Sequence, residues 1–181
     1  MKNYLYLLCL SAICFACEVS SEKPFYLENQ LTEQDIEGKW EINEIGNNEE
    51  KPKLCQIRRE NDYYVYEELE GKNDTEKSLI ILKLFEFEKN LYANANFKED
   101  AKLSSHFLLK VDIHHNNKII LYNIDLEKFI KYNSKIKSPL EYENKSGREI
   151  LIQSSTEQIQ DFLKQEHAKD IFKKHFVLHR K

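Results

Sequence analysis

The chain has 181 residues, with 27 lysines and arginines against 31 aspartates and glutamates, for a formal net charge of −4. Charges of both signs are interspersed and no block of basic residues appears, which argues against nucleic acid as a partner, because a duplex binder needs a basic stripe. Glycine and proline number only 4 and 3, and neither G-x-G-x-x-G nor G-x-x-x-x-G-K-[ST] occurs, so the nucleotide enzymes that cradle phosphate on such loops are excluded.

The first element is an export signal over residues 1–16. Lys2 and the amino terminus lead an apolar run from Tyr4 to Phe15, and the small residue Ala16 closes it. That run has 12 residues, too few for the ~20 that a membrane-spanning helix needs. The next residue is Cys17, and the stretch "CFAC" resembles the lipobox of bacterial lipoproteins, in which a small residue precedes the cysteine that is lipidated. The resemblance implies a lipid on Cys17 and a place in the bacterial cell envelope, at the outer membrane or the periplasmic face. Ordinary cleavage at the same bond is the alternative. Cys9 and Cys14 leave with the signal, so a lipidated Cys17 leaves Cys55 alone; a Cys17–Cys55 bridge in a secreted form is the competing arrangement.

Residues 17–34 read as a polar tether, since "EVSSEKPFYLENQLTE" has few periodic apolar positions. A single domain over 35–181 follows, long enough for a real core. Its dominant period is two, the mark of strands. Phe107, Leu109, Val111 and Ile113 share one face of "HFLLKVDIH", and Leu91, Ala93, Ala95 and Phe97 share one face of "LYANANF". Turn signals at Asn61-Asp62, Gly71 with Asn73-Asp74, Lys89-Asn90 and Asn116-Asn117 join short neighbouring strands. Strands are expected near 38–46, 53–60, 63–69, 78–88, 91–97, 105–114, 118–124, 147–153 and 175–180, enough to close an antiparallel up-and-down barrel of about 8–9 strands. Two flanking helices are expected. Asp125 caps the first, with Leu126, Phe129 and Ile130 facing inward; Ser154 caps the second, at capping-box spacing from Glu157, with Ile159, Phe162 and Leu163 facing inward.

The opening "IEGKWEINEI" carries Gly38-Lys39-Trp40, and with the hairpin meander, a helix over 155–166 and a last strand ending in Arg180 it resembles the lipocalins and lipocalin-like bacterial lipoproteins. The resemblance implies that Trp40 plugs one end of the barrel and that Arg180 packs over its ring. A planar guanidinium over an indole face is physically favourable.

Such a barrel is either filled or holds one small ligand. Ala93 and Ala95 spare volume in mid-strand, and with Leu109 and Val111 they are the expected lining of a pocket for a small apolar molecule. The alternative is a filled barrel, because 20 tyrosines and phenylalanines are available to occupy it; its surface would then meet an envelope or host protein, with Tyr63, Tyr64 and Tyr66 as a candidate patch. Catalysis, a cofactor and a metal are not expected. His114 and His115 are adjacent and point to opposite faces of a strand, His175 and His179 have no third ligand, and Cys55 has no assignable histidine or acidic partner.

Overall fold

The computed structural model describes residues 19–46, 51–69, 79–97, 105–115, 117–145 and 149–181. The expected export signal, Cys17 and the turn residues Gly71, Asn73, Asp74 and Asn116 lie outside the described residues.

The strands are β1 (Val19–Ser21), β2 (Gly38–Glu44), β3 (Lys53–Glu60), β4 (Tyr63–Glu68), β5 (Leu79–Phe87), β6 (Asn90–Phe97), β7 (His106–His114), β8 (Lys118–Ile124), β9 (Tyr142–Asn144), β10 (Ile150–Ile152) and β11 (Phe172–Arg180). From β2 to β8 each strand pairs antiparallel with the next. β11 then returns between β8 and β2, antiparallel to both, and closes an eight-stranded up-and-down barrel. Alternation along these strands sends one set of side chains inward, among them Ile42, Ile57, Tyr66, Leu82, Leu84, Leu109, Leu121 and Leu178. Hairpin geometry differs by one residue at one expected turn. Glu88 and Lys89, at φ 49° and 62°, occupy the left-handed positions between β5 and β6, and Asn90 opens β6 while its amide donates to the Glu88 carbonyl at 2.9 Å.

The outward-facing sets of β5 to β8 are solvated only in part. Phe85, Phe87, Tyr92, Leu108 and Ile124 join a second core under the rest of the chain. Two helices cover it, α1 (Leu126–Asn133) and α2 (Thr156–Leu163). Asp125 caps α1 by accepting from the Lys128 N–H at 3.0 Å. The cap of α2 is Ser155, paired with Gln158 in a reciprocal capping box, one residue later than the expected Ser154. Ser154 is instead buried and accepts from the Glu141 N–H at 2.8 Å. Leu126 and Phe129 face inward as expected, whereas Ile130 is exposed, because the short helix turns only one stripe toward the barrel.

The expected tether over 17–34 is corrected from Val19 onward. β1 pairs parallel with β10 and antiparallel with β7, so a three-stranded ribbon β1–β10–β9 extends the sheet beyond the barrel. Phe25 is fully buried, and its N–H donates to Asn94 Oδ1 at 3.2 Å while its carbonyl accepts from Gln160 Nε2 at 3.1 Å. Tyr26, Phe85, Tyr92 and Phe172 form a chain of ring contacts at 6.0, 5.5 and 5.8 Å. Farther on, the Thr32 N–H donates to the Leu84 carbonyl at 3.0 Å. The packed domain therefore includes the described residues from Val19 onward, ahead of the expected start near Asp35. Its lone apolar side chains, Val19, Phe25, Tyr26 and Leu31, fill separate holes in the outer core, and so they carry no period.

Candidate functional site

One end of the barrel is closed by side chains of β2 and β11. Trp40 is fully buried and donates from Nε1 to the Ile36 carbonyl at 3.0 Å. The Arg180 guanidinium lies over the indole, 4.9 Å from the ring centroid, and donates to the Asp35 carbonyl at 3.0 Å. Gly38 sits at φ +137°, in a region that side-chain-bearing residues avoid. A Cβ there would stand 4.0 Å from both Arg180 Nε and Trp40 Nε1, so backbone conformation rather than crowding requires the glycine. Tyr64 completes the plug: its hydroxyl donates to the Gln34 carbonyl at 2.7 Å and accepts from the Gln34 N–H at 2.9 Å.

Above this plug the described residues pack the interior closely. A cavity of about 30 Å³ remains, walled by Ile36, Tyr66, Leu82, Ala93, Leu109 and Val111 among other apolar side chains. Such a void has room for about two waters but gives them no polar partner, so it stays dry. Three of the four expected lining residues, Ala93, Leu109 and Val111, border it; Ala95 is buried in the same core and lies outside the lining. Ala93→Val is therefore expected to stay within ~1 kcal/mol of the parent, and Ala95→Leu to destabilise by ~1–3 kcal/mol through overpacking. Chemical denaturation of both variants checks this.

The expected tyrosine patch does not exist as a surface. Tyr64 and Tyr66 are buried inside the barrel and only Tyr63 is half-exposed, with its hydroxyl on Glu60 at 3.0 Å. The residues share a strand, and alternation sends Tyr64 and Tyr66 to the face opposite Tyr63.

Cys55 points inward from β3 and is fully buried. Desolvation pushes its thiol up to about 12, against a smaller opposing effect of a hydrogen bond with Tyr66. It stays protonated at neutral pH, and a thiol that is not a thiolate is a poor nucleophile. His114 and His115 are exposed at the end of β7, and among the described residues no three His, Cys, Asp or Glu side chains gather as a metal site.

His106 was missed by sequence reasoning, because nothing in its neighbours marks it. Phe25 N–H fixes the orientation of Asn94, whose Nδ2 then faces His106 Nδ1 at 3.0 Å. The amide donates, so Nδ1 accepts and the ring is neutral. Burial holds its pKa below the ordinary 6.5, and burial does the same for His175, where Glu44 opposes the shift. The unfolded chain thus takes up these protons first. Stability is expected to be complete above the unfolded value, to fall as pH drops below ~6.5, and to stop responding to these groups once they protonate in the folded state. Thermal melts between about pH 5 and 8 check the sign, and His106→Gln should flatten part of the slope.

Among the described residues no helix is long and apolar enough to cross a membrane. Comparison with models of protein families, with characterised proteins and with solved structures finds no match to this chain.

Proposed function

We propose that this chain is a lipid-anchored, non-catalytic module of the bacterial cell envelope, whose filled barrel is a rigid scaffold for contacts made by its outer surface. The observation that carries this reading is the interior. A drug-sized ligand needs a pocket of ~300–1,000 Å³, and the described residues of the barrel interior leave a cavity of about 30 Å³. The buried thiol and the dispersed histidines offer no assembled chemistry beside it. The lipocalin-like features, Gly38, Trp40 and Arg180 at one closed end, support a barrel that serves as a scaffold, and the lipobox-like Ala16-Cys17 junction supports the anchor.

The void favours a second reading, a small apolar ligand that enters by moving Tyr66 and Leu82 aside from Ala93. Native mass spectrometry of the exported protein, with and without added fatty acid, separates the two. A bare mass and an unchanged melting temperature are expected; a retained adduct would overturn the filled-barrel reading and make the barrel a carrier. For the anchor, Cys17→Ala is expected to abolish fatty-acid labelling, and labelling equal to the parent would rule the lipid reading out.

A further inference from the structure

We propose that His106 and Asn94 form a proton-operated latch on the N-terminal segment. With the imidazole neutral, Asn94 holds the Phe25 backbone; with the imidazole protonated, Asn94 turns to the cation and lets that backbone go.

One amide here has two opposed duties. Asn94 is buried on the outer side of β6, where its Oδ1 accepts from the Phe25 N–H at 3.2 Å and its Nδ2 faces His106 Nδ1 at 3.0 Å. A primary amide offers an acceptor at one end and a donor at the other, so the backbone donor on one side obliges the ring nitrogen on the other to accept. A protonated ring has two donors and no acceptor. Nδ2 and Nδ1–H would then stand donor to donor. A half-turn of the amide removes that conflict by giving Oδ1 to the cation, and it sets Nδ2 against the Phe25 N–H. The bond gained has a charged donor and the bond lost a neutral one, and charge-assisted bonds are roughly twice as strong. The exchange therefore favours the flip.

The surroundings leave the ring to its own proton. His106 opens β7 and pairs with Ser21 of β1. Neither β1 nor β10 beyond it carries a titratable side chain. β6 carries one, Tyr92, whose hydroxyl burial pushes up to about 12, so it stays neutral. Glu22 and Lys23 after β1 are exposed, as are Glu157 and Asp161 of α2. Farther along β7, Lys110 lies over the Tyr122 ring at 5.6 Å and Asp112 is hydrogen-bonded to the same tyrosine. Among the described residues no charge acts on His106, and burial alone lowers its pKa. The segment it controls is held from two sides. Asn94 binds the Phe25 backbone from the barrel wall, while Thr156 and Gln160 of α2 donate to the Pro24 and Phe25 carbonyls at 2.6 and 3.1 Å. The next backbone bond to the wall is Thr32 N–H to the Leu84 carbonyl at 3.0 Å. After the flip the backbone at Phe25 is held by the helix and no longer by the barrel.

The test follows the isotope-labelled full chain by NMR from about pH 7.5 to about pH 4.5, in detergent micelles. It reads amide-exchange protection together with the imidazole shifts of His106. Protection of the Phe25 amide is expected to fall roughly tenfold, as for the loss of one hydrogen bond, in step with the His106 shifts, while the amides of β3 and β4 keep theirs. In His106→Gln the side-chain carbonyl accepts from Asn94 Nδ2 at every pH, and the Phe25 amide should stay protected throughout. Asn94→Asp puts two acceptors in place of one, able to serve Phe25 and the cation together, and should keep the amide protected while His106 carries its proton. Unchanged Phe25 protection across the His106 titration overturns the latch. So does an equal fall in His106→Gln, or a fall shared by β3 and β4, since the segment then opens with the whole fold. Where a variant does not fold, the titration of the parent decides alone.

Discussion

Trp40→Ala is expected to cost ~3–5 kcal/mol, the range for removing a large aromatic from a close-packed core. Trp40 is fully buried, its Nε1 satisfies the Ile36 carbonyl, and it supports the Arg180 guanidinium. Truncation therefore leaves a cavity, an unpaired carbonyl and a cation without its ring. For a domain of this size the loss corresponds to a melting temperature lower by roughly 6–20 °C, which differential scanning calorimetry would read. Arg180→Lys tests the other half of the pair. An ammonium keeps the charge but cannot lie flat on the indole while donating to Asp35, so a loss of ~1 kcal/mol is expected. A Trp40→Ala protein melting within a degree or two of the parent would show that the plug does not hold the barrel end.

Phe25→Ala is expected to cost a similar ~3–5 kcal/mol, and it decides whether the N-terminal segment belongs to the fold. A residue in a solvated tether would change stability by less than ~0.5 kcal/mol when truncated. Phe25 is instead sealed in the outer core, with its backbone held by Asn94 and Gln160. Since whole domains are stable by only ~5–15 kcal/mol, the single change consumes a third or more of the total. Deleting residues through Leu31 should do worse, because it bares Phe85, Tyr92 and Leu108 together. Urea denaturation and solubility of the two variants give the measurement.

The contrast between these two residues explains how much of the molecule was legible in the sequence. Trp40 lies in a strand whose alternation is plain, and the barrel strands from 38 to 124 emerged close to their bounds for the same reason. Period two is imposed by the pleat wherever one face is buried. The N-terminal segment obeys no period because each apolar side chain fills a hole made by a different element, and three-residue strands such as β1 and β9 are too short to show one. The outer core likewise buries Tyr92 and Asn94, on the face of β6 opposite Ala93 and Ala95, by elements distant in sequence. Ile130 went the other way, since an apolar residue beside a helical stripe looks like part of it until the packing partner is known. In the candidate site, the roles of Gly38, Trp40 and Arg180 followed from a short motif, whereas the dryness and small size of the void depend on how Tyr66, Leu82 and Leu109 meet across the barrel, which no single strand encodes.

The seam of the barrel is made by β11, which is synthesised after the other seven strands of the ring. Trp40 and Arg180 are paired although 140 residues of chain separate them, and until β11 arrives both β2 and β8 are open edges. Pairings this distant carry the largest loop-closure cost and form late. A chain that has lost β11 therefore exposes two unpaired ladders along an apolar interior, a template for edge-to-edge association. Translation errors and proteolysis that remove β11 should therefore be costly, and folding kinetics should show closure as the slow step.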